Sequence, residues 1–442
     1  MVISPPPLAG ATSGECHALT GERRADYSAV PGHDDRVPES ASPVQPLDRR
    51  ARGRVPARRW WVAPSPDAGR EPKRGSLFLC PAMPVLRLPG LIDPHVHLRD
   101  PGAAHKEDWD SGTAAALAGG FTCVLDMPNN TPPVTDAPSL SAKQQAARAR
   151  ARCDYGLYVG ASAGNVESAA SLAPASAGLK MYLDQTFGPL RLDGLQPLLE
   201  HARRWPPDRT LLCHAEGRTV AAAILAAHLS GCSIHVCHVS RRDEIELIRA
   251  AKARGMKVTC EVTPHHLFLT DADAPDLGAG RAEVRPRLAS ASDRAALREH
   301  LDLVDCFATD HAPHALTEKD SSQPPPGFPG LETALPLYLD LVRDGLLSLE
   351  GLIERTVDNP RRIFGVPEQA ETWIEVDPDA RWTARGAEMH TRARWSPFEG
   401  REMRGRITRV VLRGREAFRD GQVLAPPGTG HDIRAAEGGA RN

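Results

Sequence analysis

Short apolar runs recur between residues 88 and 311, and this rhythm constrains the fold more than any other feature of the 442-residue sequence. The Ala-rich segment 110–120, which separates the first two runs, begins with polar residues and ends in a Gly pair, as helices do. Strands that alternate with helices pair in parallel, and eight such units can close into a barrel. We therefore predict an α/β fold, a (β/α)₈ barrel of the TIM type. Its eight candidate strands lie at 88–98, 121–127, 154–161, 178–183, 210–215, 233–239, 257–263 and 305–311.

The pattern changes after about residue 370. Residues 407–424 contain two short apolar stretches around Arg413-Gly414, followed by a turn signal at Asp420-Gly421. This is typical of a β-hairpin rather than of further barrel units. We predict the barrel over residues 84–369 and a small β-rich domain over 370–425, formed by segments that flank the barrel and joined by a strand just before residue 91. A flexible tail or linker is predicted over 426–442.

The segment before residue 84 has a different composition. Residues 1–83 contain twelve prolines, and residues 49–59 contain six arginines. No hydrophobic period of 2 or 3.6 residues is present, so the segment has too little apolar surface to form a core. We predict a disordered extension. A targeting sequence or a polyanion-binding tail is the alternative, although Asp34, Asp35 and Glu39 are unusual in a transit peptide.

Composition excludes several classes of protein. The formal net charge is −2, whereas nucleic-acid-binding domains are usually strongly basic. The nine cysteines are odd in number and form no Cys-x-x-Cys pair, which favours a reducing cytoplasm over a secreted disulfide scaffold. No apolar run approaches the roughly 20 residues of a membrane span. We predict a cytoplasmic protein with neither membrane nor nucleic-acid partners.

Polar side chains occur where the predicted strands end, and those ends meet at one mouth of a barrel. His95 and His97 are two residues apart, so a strand would point both imidazoles the same way, as two ligands of one metal ion require. One histidine at a strand end is more often a hydrogen-bonded core residue, and Asp310 has the alternative role of a helix N-cap. Together, however, the residues at these ends suggest a metal site: His95, His97, His214, His238 and Asp310.

Lys180 lies inside the apolar run 178–183, where a lysine loses its hydration. Its amine can reach solvent or pair with Asp184, which is the usual fate of a lysine. Near divalent ions, a neutral lysine amine can instead capture carbon dioxide. The resulting carbamate is a carboxylate on a long arm, able to bridge two metals. A binuclear centre that includes carboxylated Lys180 accounts for all of these polar residues together.

Four segments carry a resemblance to a known family. They contain "DPHVHLRDPG", "LKMYLDQTFGPLR", "CEVTPHHLFL" and "FATDHAPH", within residues 91–120, 178–193, 235–269 and 306–339. They closely resemble the dihydroorotase domains of animal multifunctional pyrimidine-biosynthesis polypeptides, members of the amidohydrolase superfamily. The likeness extends from about Pro84 to about residue 438. It implies a (β/α)₈ barrel of the amidohydrolase type with a small β-domain.

The resemblance also implies roles for individual residues. His95, His97 and Asp310 would hold one zinc, His214 and His238 a second, and carboxylated Lys180 would bridge them. Cys237 and Glu261, with His95 adjoining, match a third zinc site. Arg99, Asn129 and His314 match family residues that bind the substrate carboxylate. Arg285 and Gly327 match further positions of the substrate pocket. Thr186 and Phe187 match a mobile loop that closes over the site, and Asp310 would be the catalytic acid and base.

This chain departs from the family pattern in the loop. Its "DQTFGPLR" (184–191) keeps Thr and Phe, but the charges around them have moved. We expect altered loop closure and pH behaviour. Asp93-Pro94-His95 and Asp100 also differ from the usual residues, without loss of a ligand.

The activity implied is that of a zinc-dependent dihydroorotase, which interconverts N-carbamoyl-L-aspartate and L-dihydroorotate in pyrimidine (UMP) biosynthesis. The family also implies a homodimer and fusion to carbamoyl-phosphate synthetase and aspartate transcarbamoylase. Two alternatives remain: a related cyclic amidase, such as a dihydropyrimidinase, hydantoinase or allantoinase, and a non-catalytic scaffold of the same fold. Arg99, Asn129 and His314 argue against the first, and the complete ligand set argues against the second.

Overall fold

A computed structural model of the protein describes residues 85–435. The disordered extension predicted over residues 1–83 lies outside the described residues, as do the last seven residues of the predicted tail.

Eight parallel strands form the barrel and follow one another in chain order around it. A bridge between Val96 and His311 links the first of these strands to the segment after the last, so the sheet is nearly closed. The strands are buried almost throughout, as parallel strands covered by helices must be. The predicted fold class is confirmed. The strands are β2 (Leu91–Val96), β3 (Phe121–Asp126), β4 (Asp154–Gly160), β5 (Gly178–Tyr182), β6 (Leu211–His214), β7 (Ile234–Val236), β8 (Val258–Val262) and β9 (Cys306–Phe307).

Helices connect the strands and cover the barrel. The first begins at the N-cap Asp108, whose carboxylate accepts from the backbone N–H of Ser111 at 2.8 Å, and it ends before Gly119. Residues 85–435 contain no helix with both the length and the apolar character needed to cross a bilayer. The α-helices are α1 (Trp109–Ala118), α2 (Ala137–Arg150), α3 (Val166–Ser171), α4 (Leu195–Arg204), α5 (Arg218–Leu229), α6 (Arg242–Ala253), α7 (Pro264–Phe268), α8 (Ala274–Leu277), α9 (Ala291–Glu299), α10 (Leu316–Lys319), α11 (Leu331–Arg343), α12 (Leu349–Ile353) and α13 (Asn359–Phe364).

A second, antiparallel sheet contains strands from both sides of the barrel sequence. Its members, in spatial order, are β1 (Leu86–Pro89), β10 (Trp373–Thr383), β11 (Glu402–Leu412), β12 (Arg415–Arg419) and β13 (Gln422–Val423). Two-residue turns at Arg413-Gly414 and Asp420-Gly421 connect the last three strands, and all four turn residues have positive φ, between 47° and 86°. The small β-domain from flanking segments is thus present.

Two irregular segments return from this sheet to the barrel. Residues 384–401, between β10 and β11, reach the barrel mouth, where the Trp395 indole N–H donates to the carbonyl of His314 at 2.9 Å. Residues 426–435, where the sequence predicted the start of a flexible tail, lie against the beginning of β4. There the backbone of Tyr155 exchanges hydrogen bonds with His431 and Ile433, each at 2.9 Å.

Candidate active site and metal centre

The predicted site residues meet at the C-terminal ends of the barrel strands, around a cleft of about 360 Å³. His314, Cys237 and Glu261 lie beside the cleft and contact Arg99, Lys180 and His95, respectively. All fifteen residues predicted from the sequence are therefore brought together. Those that line the cleft are His95, His97, Arg99, Asn129, Lys180, Thr186, Phe187, His214, His238, Arg285, Asp310 and Gly327.

A larger cleft, of about 1610 Å³, lies near the start of β4, beside Asp154 and Arg413. It is at the opposite end of the strands and contains none of the predicted site residues. Barrels of this type place their chemistry at the C-terminal ends of the strands. We therefore assign the smaller cleft as the candidate active site.

Two histidines and a carboxylate form the first group of possible metal ligands. Asp310 Oδ1 is 3.2 Å from His95 Nε2 and 3.1 Å from His97 Nε2. Asp310 has φ +47°, an unfavourable conformation for a non-glycine residue, and the left-handed turn follows the end of β9. The N-cap alternative for Asp310 is wrong, because the next helix, α10, begins only at Leu316.

His214 and His238 form the second group. His214 Nδ1 is 3.0 Å from His238 Nε2. His238 Nδ1 is buried and has no hydrogen-bond partner among residues 85–435. A buried nitrogen without a partner is costly, and an added ion or water would satisfy it. Ligand atoms of His95, His238 and Asp310 all lie within 4.8 Å of one another, so the two groups are neighbours.

Lys180 lies on β5 and is fully buried. Its Nζ is 2.9 Å from Cys237 Sγ, and within residues 85–435 no carboxylate lies within 4 Å of it. The predicted alternative, a pair with Asp184, is wrong. The Asp184 carboxylate instead accepts from the backbone N–H of Glu216 at 2.8 Å and from the Thr219 hydroxyl.

A second buried lysine shows how the protein normally accommodates this charge. Lys143, on α2, is also fully buried. Its Nζ is 2.6 Å from an Asp126 carboxylate oxygen, and it donates to the Met127 carbonyl at 2.5 Å and to Asn130 Oδ1 at 2.7 Å. Lys180 has no comparable partners. Burial of a charged amine without such partners is unfavourable.

Cys237, Glu261 and His95 form a third group, with ligand atoms within 4.8 Å of one another. Successive residues of a regular strand face opposite ways, but β7 ends at Val236 and His238 has φ +36°. Cys237 and His238 can therefore both face the centre. Glu261 Oε1 also accepts from His95 Nδ1 at 2.5 Å, the arrangement in which a carboxylate orients a metal-binding imidazole.

Burial controls the protonation of these groups. It lowers the pKa of His97 to about 3, although Asp310 opposes the shift, and it lowers the pKa values of His214 and His238 as well. Burial alone would raise the pKa of Asp310, but His95 and His97 outweigh it and hold that pKa well below its usual range. Neutral imidazoles beside an ionised carboxylate are the forms that bind zinc. The donor set therefore fits a metal centre.

The remaining residues form the other side of the cleft. Arg99 is buried, and its Nε–H donates to the Pro313 carbonyl at 3.2 Å. Burial lowers its pKa to about 10, so it remains charged at neutral pH. No carboxylate of the described range lies within 4 Å of its guanidinium. The cation therefore makes no direct ion pair within residues 85–435, although Asp310, Asp126 and Glu318 act on it from farther away, and it is available to an anionic ligand.

Asn129 connects the two sides of the cleft. Its Oδ1 accepts from His97 Nδ1 at 2.7 Å, and its Nδ2 donates to the Phe187 carbonyl at 3.2 Å. The first bond leaves His97 Nε2 with its lone pair directed at Asp310 and the centre. Asn129 thus holds a candidate ligand and the Phe187 loop at once.

Two further predicted positions have clear structural reasons. Gly327 has φ +143°, and an added Cβ would lie 2.4 Å from the Ala312 carbonyl oxygen, so only glycine fits this edge of the cleft. Arg285 faces the cleft while its Nη1 donates to a Glu283 carboxylate oxygen at 2.9 Å. Arg285 is therefore already partnered, unlike Arg99.

Sequence reasoning missed two residues at this site. Tyr182 lines the cleft two residues after Lys180, on the same face of β5, and strand periodicity could have found it. Lys106 contacts His314 from the loop after β2, at a sequence separation of 208 residues. No strand-end pattern marks a residue in such a loop.

Comparison with known proteins places the chain in a family. Residues 86–368 match the model of the amidohydrolase family. The chain is 51% identical over 351 residues to the multifunctional protein CAD of Squalus acanthias. This alignment covers 79% of this chain but only 16% of the multifunctional protein. It is 34% identical to a dihydroorotase of Pyrococcus furiosus, over 77% of this chain and 83% of that enzyme. The chain thus spans about a sixth of the length of its multifunctional relative.

Solved structures with the same architecture include enzymes of related type. An L-hydantoinase (dihydropyrimidinase) from Arthrobacter aurescens superposes with a TM-score of 0.75 at 26% identity, covering 79% of this chain and 88% of that one. An inactive dihydroorotase-like domain of a Chaetomium thermophilum CAD-like multifunctional protein has a TM-score of 0.67 at 28% identity, with 79% and 99% covered. The chain belongs to the amidohydrolase family and groups within it with the dihydroorotases.

Proposed function

We propose that this chain is a zinc-dependent dihydroorotase, which interconverts N-carbamoyl-L-aspartate and L-dihydroorotate in pyrimidine biosynthesis. One observation carries the proposal: a single cleft combines a set of zinc-type ligands with a buried arginine that makes no direct ion pair within the described range. L-Dihydroorotate has the matching features, a hydrolysable cyclic amide and a carboxylate. The relatives named dihydroorotase support the same assignment.

A binuclear centre would use six residues. Lys180, buried without a carboxylate partner, would carry a carbon-dioxide-derived carbamate and bridge the two sites. Zinc at such a centre supplies Lewis acidity. A third ion, between Cys237, Glu261 and His95, is compatible with their close approach, although burial raises the pKa of the Cys237 thiol and opposes its ionisation. The ligands of the two principal ions would be His95, His97, Lys180, His214, His238 and Asp310.

Asp310 would transfer the proton. In hydrolysis, a water oxygen bonds to the ring carbonyl carbon, the carbon–nitrogen bond breaks, and the proton lost by the water moves to the departing nitrogen. The Asp310 carboxylate is ionised and faces the cleft, so it can accept that proton and deliver it. Ring closure uses the same steps in reverse.

The other residues would select and hold the substrate. Arg99 would bind the substrate carboxylate, because a guanidinium pairs with a carboxylate through two parallel hydrogen bonds. Asn129 and His314 would complete this pocket, with Arg285 and Gly327 at its edge. Thr186 and Phe187, on the loop after β5, would cover the substrate and exclude water.

The best-supported rival is a related cyclic amidase, given the similarity to an L-hydantoinase. Hydantoins and dihydropyrimidines lack the carboxylate, so Arg99 would have no partner in such an enzyme. A non-catalytic scaffold is the other rival, given the inactive dihydroorotase-like domain of similar structure. In this chain, every predicted ligand position holds a residue able to bind zinc.

Partners follow from the same assignment. We propose a cytoplasmic homodimer, as the resemblance to the dihydroorotase domains and the unpaired cysteines imply; Leu195, Leu225 and Leu229 on α4 and α5, which are 52–68% exposed, offer apolar surface for such a contact. Exposed leucines on adjacent helices favour a protein contact. Fusion to, or association with, carbamoyl-phosphate synthetase and aspartate transcarbamoylase is proposed from the multifunctional relatives.

A direct test compares three substrates on the purified chain. Dihydroorotate, dihydrouracil and hydantoin are supplied separately, and zinc content and intact mass are measured on the same sample. We expect turnover of dihydroorotate alone, at least two zinc ions per chain and the added mass of one carbamate. Preference for dihydrouracil or hydantoin would overturn the assignment in favour of the rival amidases, and protein without zinc or turnover would favour the scaffold.

A further inference from the structure

Lys106 is a buried cation beside the cleft with no role in the function proposed so far. It belongs to the loop between β2 and α1 and is 7% exposed. Its Nζ is 3.2 Å from His314 Nδ1 and 3.0 Å from Glu318 Oε1. It also lies 4.9 Å from the centre of the Phe187 ring. One amine therefore contacts a predicted substrate-binding residue and the predicted covering loop.

These contacts determine where His314 carries its proton. A lysine ammonium can only donate hydrogen bonds, and so can the Arg99 guanidinium at the other ring nitrogen, so a neutral His314 ring can accept from one of the two and not from both. The Pro326 carbonyl beside Nε2 requires a donor there, which makes Nδ1 the acceptor and Lys106 its donor. The proton of the neutral imidazole is then on Nε2, which is 3.1 Å from the Pro326 carbonyl oxygen and can donate to it. The opposite tautomer would direct an N–H at the ammonium and leave the Pro326 carbonyl without this donor. Burial, followed by the charges of Arg99 and Lys106, lowers the pKa of His314, in agreement with a neutral ring.

The tautomer affects Arg99 in turn. Arg99 Nη2 is 3.1 Å from His314 Nε2. If Nε2 carries the proton, both atoms are donors and cannot hydrogen-bond to each other. The Nη2 hydrogens are then available to another acceptor. Lys106 therefore keeps the guanidinium free for a carboxylate by keeping His314 Nε2 protonated.

Phe187 joins the same cluster. Its ring meets the His314 ring edge-on with centroids 5.2 Å apart, and Arg99 Cζ lies 5.5 Å from the centre of the Phe187 ring. Cations within about 6 Å of an aromatic ring are attracted to its face. Lys106 and Arg99 together therefore favour the position of Phe187 over the cleft.

We propose that Lys106 is a positioning residue for the substrate carboxylate: it fixes His314 as the Nε2–H tautomer, frees Arg99 and holds Phe187 over the pocket. The proposal rests on the proposed function, since it assumes that the ligand of Arg99 is a carboxylate. It adds a specificity determinant that acts through His314 and Phe187. The tautomer itself can be examined without any activity measurement.

The first test is NMR of the full chain labelled with ¹⁵N-histidine, with His314→Gln used to assign the His314 signals. We expect wild-type His314 to be the Nε2–H tautomer, and Lys106→Met to give a mixture of both neutral forms. The matched control, Glu318→Gln, removes the other partner of the lysine but leaves its ammonium, and should keep the wild-type tautomer. A wild-type Nδ1–H tautomer, or an unchanged spectrum in Lys106→Met, would refute the proposal.

The second test is steady-state kinetics with dihydroorotate. We expect Lys106→Met to raise KM about tenfold with a smaller change in kcat, Lys106→Arg to recover part of the loss, and Glu318→Gln to leave KM unchanged. The Lys106→Met/His314→Gln double variant should lose less than the sum of the two single losses, because the lysine acts partly through the histidine and otherwise only through Phe187. Fully additive losses would contradict this. If the wild type does not turn over dihydroorotate, the proposed function fails, while the NMR result still decides the role of Lys106.

Discussion

The two halves of the cleft differ in how far the protein alone completes them. In the metal half, formed by His95, His97, Lys180, His214, His238 and Asp310, ligand atoms converge while His238 Nδ1 and the Lys180 amine lack adequate partners in the described range. In the carboxylate half, formed by Arg99, Asn129 and His314, the contacts are largely satisfied within the chain. The metal half thus leaves buried polar groups that added ions would satisfy, as proposed, whereas the other half is already held in place by contacts within the chain and would need only the proposed anion. Variants should separate the two: the first should lose metal, the second substrate affinity.

The largest effect should come from Lys180→Ala. Without the proposed bridging carbamate both metal sites would lose a ligand, so we expect less than one zinc per chain and a fall in turnover of at least about 10³-fold. Zinc analysis and the dihydroorotate assay measure these changes. Partial rescue by an added small carboxylic acid would support the carbamate.

Lys143→Met is the matched control for the loss of a buried lysine amine. It breaks the pair with Asp126 and should lower the melting temperature, since the carboxylate left behind is buried. It should nevertheless retain zinc. Equal zinc content in Lys180→Ala and the wild type would show that Lys180 is not a metal ligand, and the proposed difference between the two halves would be wrong.

Asp310→Asn should have the next largest effect. The amide keeps the size of the side chain and an oxygen ligand, but it cannot accept and return a proton. We expect zinc content close to wild type and a fall in kcat of about 10²–10⁴-fold, the usual contribution of general acid–base catalysis. Near-normal kcat in this zinc-loaded variant would exclude the proton-transfer role.

Arg99→Lys examines the carboxylate half. The charge is kept, but the two parallel N–H donors of the guanidinium are lost. We expect kcat/KM for dihydroorotate to fall about 10–100-fold, the worth of a charge-assisted hydrogen bond, with zinc content unchanged. Loss of zinc together with affinity would show that the two halves are not independent.

The same division explains what the sequence could reveal. His95, His97, His214, His238 and Asp310 lie at strand ends, and the barrel rule places such ends together. Strand rhythm alone therefore predicted most of the metal half before any contact was known. The two-residue turns of the small sheet were equally local, since Arg413-Gly414 and Asp420-Gly421 carry their own conformational preference.

The carboxylate half depends on contacts that no local pattern encodes. Lys106 meets His314 across 208 residues, and Trp395 reaches the His314 carbonyl from the 384–401 segment of the small sheet. Both lie in irregular segments, whose paths are set by packing rather than by periodicity. The family resemblance identified Arg99 and His314 as candidate substrate-binding residues. It did not identify Lys106 or Trp395, which hold His314 in place.

The smallest effect should come from Glu332→Gln, which examines the support provided by residues 384–401. The Glu332 carboxyl, on α11, accepts from the backbone N–H groups of His390 and Thr391, at 2.9–3.1 Å. Burial, partly opposed by these bonds, raises its pKa from 4.5 to about 8. The folded state therefore holds a proton that the unfolded state releases above about pH 4.5, so this group lowers the free energy of unfolding as the pH rises from about 4.5 to 8.

Glutamine keeps an acceptor oxygen but cannot ionise, so the variant lacks this pH-dependent loss. We expect Glu332→Gln and the wild type to have similar melting temperatures near pH 5, and the variant to become the more stable of the two by several degrees near pH 8. Thermal unfolding of both proteins across this range measures the difference. A constant difference between the two curves would show that Glu332 does not titrate there. If zinc binding stays equal at every pH while the KM for dihydroorotate differs, the 384–401 segment supports the carboxylate half alone.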